Sequence, residues 1–112
     1  DTEKKYRGII LADESKDIVE QFSNIELFDG GCFLYTGHIF DVFILPERRG
    51  RWKIRSTING FVGKLVDKHG KASVEIHKQN TASMRLALGF GFKPVSDDGN
   101  FVKLEVREWA AL

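Results

Sequence analysis

The chain reads HIFDVFIL from His38 to Leu45 and PERRGR from Pro46 to Arg51. The first segment is the most apolar run of the chain, which predicts a central strand covered on both faces. Pro46 ends this strand because proline has no N–H to donate to a neighbouring strand. From Trp52 to Gly70 the apolar spacing changes from two residues to 3.6, which predicts an amphipathic helix that ends at Gly70.

The predicted helix carries its apolar residues on one stripe: Ile54, Ile58, Phe61, Val62, Leu65 and Val66. Gly60 and Gly63 interrupt it, and each costs about 1 kcal/mol relative to alanine. We expect close packing against the sheet, or against a ligand, to account for one of these two glycines.

Downstream of this helix, the segment from Ala72 to Lys78 alternates between apolar and polar residues and predicts a strand. Asn80 and Thr81 can cap a second helix. Its apolar members are Met84, Leu86, Ala87 and Leu88, and the glycines at 89 and 91 end it. A short strand from Phe92 to Val95, a turn at Asp98-Gly99 and a returning strand from Phe101 to Trp109 complete the chain.

Upstream, Tyr6 to Ala12 predicts a strand, and the polar segment from Asp13 to Asp17 predicts a turn. Ile18 to Phe28 predicts a further strand, which Asp29-Gly30-Gly31 stops. This order of elements predicts a single domain of the α/β class with a mixed sheet (α+β), one parallel strand pair and two main helices.

Length and composition restrict the class of protein. A chain of 112 residues with a net charge of +1 makes one domain, and this charge argues against a protein that mainly neutralises a nucleic-acid backbone. No apolar stretch is long enough for a membrane span, and no signal peptide is recognisable.

Cys32 is the single cysteine, so we expect a small buried residue in a reducing compartment, the cytoplasm. The histidines His38, His69 and His77 have no metal-ligand spacing with Cys32, and we predict no metal.

Two motifs resemble those of the GNAT-superfamily N-acetyltransferases. The first is the Pro-Glu and basic turn from Ile44 to Arg51, between a strand and a helix. The second is Asn80 with Ser83, Leu86, Gly91 and Phe92, at the offsets of the family's Asn-x-x-Ala/Ser helix that ends in Gly-Phe. Together they cover residues 38 to 109. The resemblance implies a GNAT-like mixed sheet, splayed at an acetyl-CoA cleft between the parallel strands.

The resemblance implies a set of cofactor-binding residues: Ile44, Leu45, Arg49, Gly50, Arg51, Trp52, Lys53, Ile54, Asn80 and Ser83. The physical reason why such a turn can bind a pyrophosphate does not depend on the family resemblance. A helix N-terminus offers unpaired N–H groups and a partial positive charge to a pyrophosphate. Basic residues there oppose the helix dipole, and a bound anion turns that cost into attraction. Solvated surface charge is the alternative explanation of the cluster.

The sequence departs from the family pattern at two places. Trp52 and Ile54 stand where the turn usually has small residues that allow phosphates to approach the backbone. Some phage-associated members of the family carry a turn that resembles this Arg-Gly-Arg-Trp segment. Ala87 stands where many members have a tyrosine that acts as general acid. The family's usual N-terminal strand and helices have no room in this chain, so we expect either a fragment or a shortened variant that recognises its substrate differently. The start at Asp1 leads us to expect that residues precede it.

The reaction implied is attack of a neutral amine on the thioester, which needs a base and an oxyanion donor. The donor would be a backbone N–H near Ile44 and Leu45. The candidate bases are Asp41 and His38 on the central strand, and Glu75 or His77 on the next. A solvated surface carboxylate is the alternative for each.

Two functions are compatible with the sequence. The first is an acetyl-CoA-dependent N-acetyltransferase that acts on a primary amine. The second is a catalytically reduced GNAT-fold structural or interaction module, for example a phage structural component. The partners implied are acetyl-CoA and an amine acceptor, with a homo-oligomer or larger assembly left open. The location implied is the cytoplasm, or the host cytoplasm or virion for a phage protein. A third hypothesis, nucleic-acid binding, rests on one short basic patch.

Overall fold

The computed structural model describes residues 22–48 and 53–108, with the side chains of Lys53 and Ile54 excepted. This part of the chain forms six strands, two α-helices and a short 3₁₀ helix. The elements are β1 (Asn24–Phe28), β2 (Gly31–Thr36), β3 (Ile39–Ile44), the 3₁₀ helix (Pro46–Arg48), α1 (Lys53–His69), β4 (Ala72–His77), α2 (Thr81–Gly89), β5 (Lys93–Asp97) and β6 (Phe101–Val106).

The strands form one sheet in the order β1-β2-β3-β4-β6-β5. Pairing is parallel between β3 and β4 and antiparallel between the other neighbours. The helix α1 connects the two parallel strands, which is the connection that a parallel pair requires. The predicted mixed α/β sheet, with its parallel pair and two main helices, is therefore confirmed.

The prediction for the first hairpin was wrong in one respect, because it did not include β2. Asp29-Gly30-Gly31 was expected to end a strand that began at Ile18. Instead Asp29 and Gly30 form a two-residue turn, with Gly30 at a φ of 104°, and Gly31 is the first residue of β2. Asp-Gly before an apolar run is a hairpin signal that could have revealed this strand.

The helices end where the chain offers the right residues. Gly70 follows α1 with a φ of 78°, and its N–H donates to the carbonyl oxygen of Val66 at 2.8 Å. A left-handed residue of this kind is the common helix stop. Gly60, inside α1, is exposed, and a Cβ built there has no heavy atom within 4 Å. Packing against the sheet therefore does not explain this glycine.

One face of the sheet is covered by both helices, and we call it the helix face. Phe61 of α1 stacks on Phe33 of β2, with ring centroids 3.9 Å apart and an angle of 7° between the rings. The cluster on this face includes Phe40, Ile58, Val62, Leu65, Ala72, Ile76, Ala87, Phe92, Leu104 and Val106. Burying each large side chain contributes about 1.5 to 3 kcal/mol. The predicted stripe on α1 is confirmed for Ile58, Phe61, Val62 and Leu65.

The opposite side of the sheet, called the second face, carries alternate residues of the same strands. At the β2–β3 end it is apolar, because Cys32, Leu34 and Phe43 form a small buried cluster. At the β4–β6 end it is polar, with Glu75 beside Lys103 and Ser73 beside Glu105 in the strand register. The expectation that Cys32 is a buried small residue is confirmed.

Three predicted segments lie wholly or partly outside the described residues. They are the strand from Tyr6 to Ala12, the turn from Asp13 to Asp17, and the beginning of the strand at Ile18. At the other end of the described chain, the last strand was predicted to reach Trp109, but β6 ends at Val106.

Candidate functional site

The two parallel strands meet at one point and then diverge. Ile39 pairs with Ser73, and the N–H of Ser73 donates to the carbonyl oxygen of His38 at 2.9 Å. No further β3–β4 pair occurs in the described part of the sheet. A cleft of about 630 Å³ opens where the strands separate. The splay that the resemblance implied is therefore present.

The cleft passes through the sheet from one face to the other. Its wall on the helix face includes Phe40, Val42, Ile58, Ile76, Ala87 and Phe92. Its wall on the second face includes Ile39, Asp41, Glu75, His77, Phe101 and Lys103. Since strand residues alternate between faces, a gap between two strands is the place where both sets meet. A molecule inside the cleft can therefore contact residues of both faces.

The backbone of β3 determines which amide groups face the gap. The N–H of Leu45 donates to the carbonyl oxygen of Gly30 at 2.8 Å, so Leu45 faces the β2 side. Because hydrogen-bonded pairs alternate along an antiparallel ladder, the N–H groups of Val42 and Ile44 face β4. The N–H of Val42 donates to Oδ1 of Asp41 at 2.9 Å. Of the two predicted oxyanion donors, Ile44 is the one on the gap.

By sequence, no protein-family model and no curated protein matches the chain. Several solved structures are similar to it. The protein PH1933 of Pyrococcus horikoshii OT3 has a TM-score of 0.61 at 16% identity, with 74% of this chain and 62% of that protein covered. A GNAT family acetyltransferase of Elizabethkingia anophelis, solved with acetyl-CoA bound, has a TM-score of 0.61 at 15% identity, with 88% and 87% covered.

A third structure is the N-acetyltransferase PseH of Campylobacter jejuni in complex with acetyl coenzyme A. Its TM-score is 0.55 at 18% identity, with 70% of this chain and 59% of PseH covered. This chain has the GNAT fold. It spans less than two thirds of the length of PH1933 and of PseH.

In this GNAT fold, the predicted bases on β3 and β4 come together at the cleft. Asp41, Glu75 and His77 all line it, and the carboxylate of Asp41 is partly buried. His77 accepts a hydrogen bond at Nδ1 from the N–H of Gln79 at 3.1 Å. This contact places the proton of a neutral imidazole on Nε2, so the basic lone pair of His77 is already engaged. In this arrangement Nε2 of His77 can donate a hydrogen bond into the cleft, whereas Nδ1 is occupied and is not placed to act as a base.

The fourth candidate, His38, lies at the apex of the gap and is not among the residues that line the cleft. Its Nε2 is buried and has no hydrogen-bond partner in the described part of the chain. Burial lowers the pKa of His38, and the positive charges of Lys71 and Lys103 lower it further. Its position makes it a structural residue of the strand junction rather than a base.

The second motif, Asn80 and Ser83, also lines the cleft of the GNAT fold. Asn80 begins α2, because its Oδ1 accepts a hydrogen bond from the N–H of Ser83 at 3.2 Å. This capping contact satisfies one of the unpaired N–H groups at the helix start. The motif thus has a structural role that is independent of any ligand.

Ala87 lies on the wall of the cleft formed by α2, and it is buried. No tyrosine is found among the described residues that line the cleft. Tyr35 contacts Phe61 edge-on, with ring centroids 5.4 Å apart. Ala87 therefore contributes a methyl group to the wall of the cleft.

The basic turn lies largely outside the described residues. Arg49, Gly50, Arg51 and Trp52 belong to the gap in the described chain, and Lys53 and Ile54 are described only as the first residues of α1. Before the turn, Nη1 of Arg48 lies 3.4 Å from Oδ2 of Asp29 on the surface. The predicted pyrophosphate site therefore remains a prediction.

Sequence reasoning missed several residues that line the cleft, among them Phe22, Phe90, Ser96, Asp98, Phe101 and Lys103. Most of these come from the last hairpin and its turn, which fold back beside β4. The alternation on β6 indicates which of its residues share a face, but only the strand order places that face at the cleft.

Two further observations concern other classes of site. Within residues 22–48 and 53–108, no group of three or more His, Cys, Asp or Glu is placed to hold a metal ion. Neither helix of these segments combines the length and apolar character needed to cross a bilayer.

Proposed function

We propose that this chain is the cofactor-binding part of an acetyl-CoA-dependent N-acetyltransferase that transfers an acetyl group to a primary amine. The observation that carries this proposal is the cleft through the sheet, which opens where β3 and β4 diverge. An acetyl donor on the helix face and an amine acceptor on the second face can meet only at such a gap. The GNAT enzymes with acetyl-CoA bound that share this fold support the choice of cofactor.

The residues at the cleft fit the chemistry of coenzyme A. Its pantetheine arm is an extended chain with amide groups, and β3 has an edge that faces the gap beyond its single pair with β4. An extended ligand can pair with such an edge as an added strand does. The pyrophosphate would lie at the start of α1, held by residues 49 to 54. Leu45, Asn80 and Ser83 complete the predicted binding set.

The arrangement of charges supports an acceptor on the second face. Asp41 and Glu75 lie on strands at opposite sides of the gap, and both face the second face. Either carboxylate can take a proton from the incoming ammonium group. The N–H of Ile44 is on the side where an acetyl carbonyl would lie. Acetyl-CoA supplies the activated acyl group and a thiol leaving group.

Direct binding provides the first test. Calorimetry with CoA and acetyl-CoA is expected to show binding that Arg49→Ala and Arg51→Ala both weaken, with a loss that shrinks as salt is added. Lys68→Ala, which removes a charge from the exposed opposite end of α1, is the matched control and should leave affinity unchanged. No heat and no thermal shift at millimolar CoA would overturn the proposal. A collapse of the melting temperature in Arg49→Ala or Arg51→Ala would instead show that the cluster is structural.

Acetyl transfer to a panel of amines provides the second test. One of the substitutions Asp41→Asn and Glu75→Gln should remove the base, and we expect that variant to lower kcat by about a hundredfold or more. The other variant should have a smaller effect. His77→Gln should have less effect than the base variant, because its Nδ1 is already engaged. A chain that binds CoA and transfers no acetyl group to any amine or peptide would support the second candidate.

That second candidate is a GNAT-fold binding or interaction module without catalysis. The observation that favours it is Ala87 on the wall of the cleft, where no tyrosine among the described lining residues replaces the missing acid. Trp52 in the basic turn also favours it. We favour the enzyme, because a thiol with a pKa near 8.5 can leave without a side-chain acid. The fully buried Cys32 is compatible with the reducing cytoplasm as its location.

A further inference from the structure

His38 is a titratable residue at the junction of β3 and β4, outside the wall of the cleft. Its side chain is half-buried, and its Nε2 atom is buried without a hydrogen-bond partner among the described residues. Such an atom is rare in folded proteins and costs free energy. The carbonyl oxygen of the same residue accepts a hydrogen bond from the N–H of Ser73, beside the Ile39–Ser73 pair. The unpartnered atom and the start of the cleft therefore belong to one residue.

The charged and titratable groups around this imidazole come from several parts of the fold. They are His69 at the end of α1, Lys71 in the loop before β4, and Lys103 and Glu105 on β6. The ring of His69 lies beside that of His38, with centroids 6.4 Å apart and an angle of 58° between the rings. Three of these four groups carry or can take up a positive charge. The surroundings of His38 therefore mainly oppose a second positive charge on its ring.

Glu105 is the one carboxylate among the described groups that act on His38, and other side chains already engage it. Its Oε1 lies 2.8 Å from Nε of Arg107. Its Oε2 lies 3.4 Å from the hydroxyl group of Ser73 and 4.0 Å from Nζ of Lys71. A protonated imidazole would add a buried N–H donor at Nε2, where the described residues provide no acceptor. In agreement with this geometry, burial lowers the pKa of His38, and the charge of Lys71 lowers it further.

We propose that His38 is a proton switch of the strand junction: when its imidazole takes up a proton, the ring leaves its buried position and the contact between β3 and β4 loosens. The closed junction holds the neutral imidazole, whereas an open junction exposes the ring to water, where it binds a proton more readily. Acidification therefore shifts the equilibrium towards the open junction. The apex of the cleft loosens without any ligand, so the inference is independent of the proposed function.

Hydrogen exchange at the amide of Ser73 tests the switch, because this N–H donates to the carbonyl oxygen of His38. Protection factors correct for the pH dependence of the intrinsic exchange rate and report the opening equilibrium. We expect the protection factor of Ser73 to decrease several-fold between about pH 7.5 and about pH 5, a range that includes the ordinary pKa of histidine.

Urea distinguishes an opening of the junction from unfolding of the whole domain. At the acidic pH, low concentrations of urea should hardly change the protection factor of Ser73, because a local opening exposes little surface. The amides of β6, which lies between β4 and β5, serve as the reference for global unfolding, and their protection should fall with urea. This comparison uses the wild type and needs no variant.

His38→Gln removes the proton site and should leave the protection factor of Ser73 nearly independent of pH. His69→Gln is the matched control, because it removes the neighbouring imidazole and keeps the switch, so most of the pH dependence should remain. Equal protection of Ser73 at both pH values, or the same decrease in His38→Gln as in the wild type, would overturn the proposal. Exchange of Ser73 with the full urea dependence of the β6 amides would also overturn it.

Discussion

The backbone N–H of Ser73 donates to the carbonyl oxygen of His38 at 2.9 Å, at the point where β3 and β4 meet before they diverge. The side chain of Ser73 is fully buried, and its hydroxyl group lies 3.4 Å from Oε2 of Glu105 on β6. Glu105 also pairs with Arg107, at 2.8 Å between Nε and Oε1. The junction of the two strands is thus fastened to β6, and this supports the apex of the cleft.

We expect Ser73→Ala to lower the free energy of unfolding by about 1 kcal/mol, because it removes a hydroxyl group that contacts a buried carboxylate. The backbone contact with His38 remains in this variant. Urea denaturation measures the change, and Ser96→Ala on the exposed strand β5 is the control, with an expected effect within about 0.5 kcal/mol. Equal stability of Ser73→Ala and the wild type would show that the 3.4 Å contact contributes nothing.

Gly31 is required by the close approach of β2 to β3. A Cβ at this position would overlap the carbonyl oxygen of Phe43, and it would lie 3.1 Å from the Cα of Ile44. We therefore expect Gly31→Ala to destabilise the fold by about 1 to 3 kcal/mol.

Gly60→Ala is the control for this substitution, because the space around that exposed helix position is open. Alanine there should raise stability by up to about 1 kcal/mol through helix propensity. Thermal unfolding of both variants measures these changes in stability. A stable Gly31→Ala protein would contradict the close approach of the two strands.

Asn80 has two separable roles, as the cap of α2 and as a residue of the cleft. Asn80→Ala removes the Oδ1 contact with the N–H of Ser83 and should cost about 1 kcal/mol of stability. Asn80→Asp keeps an equally good cap but replaces the amide with a negative charge. If the side chain contacts CoA, Asn80→Asp should fold as stably as the wild type and bind CoA more weakly. Unchanged affinity in Asn80→Asp would restrict this residue to the capping role.

The lowered pKa of His38 predicts a pH dependence of stability. The unfolded histidine binds a proton near pH 6.5, whereas the folded one does so only at lower pH, so the unfolded state holds more protons between those two values. Stability should therefore fall as the pH decreases from about 6.5 towards the folded pKa. His38→Gln should show a smaller decrease over the same range in urea titrations.

An NMR titration of the His38 imidazole measures the same property directly. Burial is the first cause of the lowered pKa, and the charge of Lys71 is the second. Lys71→Gln should therefore move the pKa of His38 upwards, though not to its ordinary value. A His38 that titrates at or above pH 6.5 in the folded wild type would contradict both the burial of Nε2 and this prediction.

Ala87 predicts the pH dependence of acetyl transfer. Without a tyrosine to protonate the leaving thiolate, kcat/KM should rise with pH as the acceptor amine loses its proton, and it should show no falling limb near pH 10. Initial rates with a simple amine up to about pH 10.5 test this. A falling limb would show that a side-chain acid takes part in the reaction, and it would contradict this prediction.

Local patterns were sufficient for most of the fold. The strand before Pro46, the helix that ends before Gly70, the cap at Asn80 and the turn at Asp98-Gly99 were all predicted near their observed positions. Periodicity and capping depend on residues a few positions apart, so the sequence displays them directly. The strand β2 was missed, because Gly30 and Gly31 were interpreted as one stop, although only Gly30 belongs to the turn.

The sequence by itself determined the class of fold, the resemblance to GNAT enzymes and the candidate residues Asp41, Glu75, His77, Asn80 and Ser83. Only the tertiary structure decided that β3 and β4 share a single pair before they separate, and that the turn at Asp98 reaches the same cavity. It also decided that Leu45 faces β2 and that His77 holds its Nδ1 against Gln79. The reason is that strand order, divergence and hydrogen-bond direction depend on contacts between distant segments, about which the spacing of neighbouring residues carries no information.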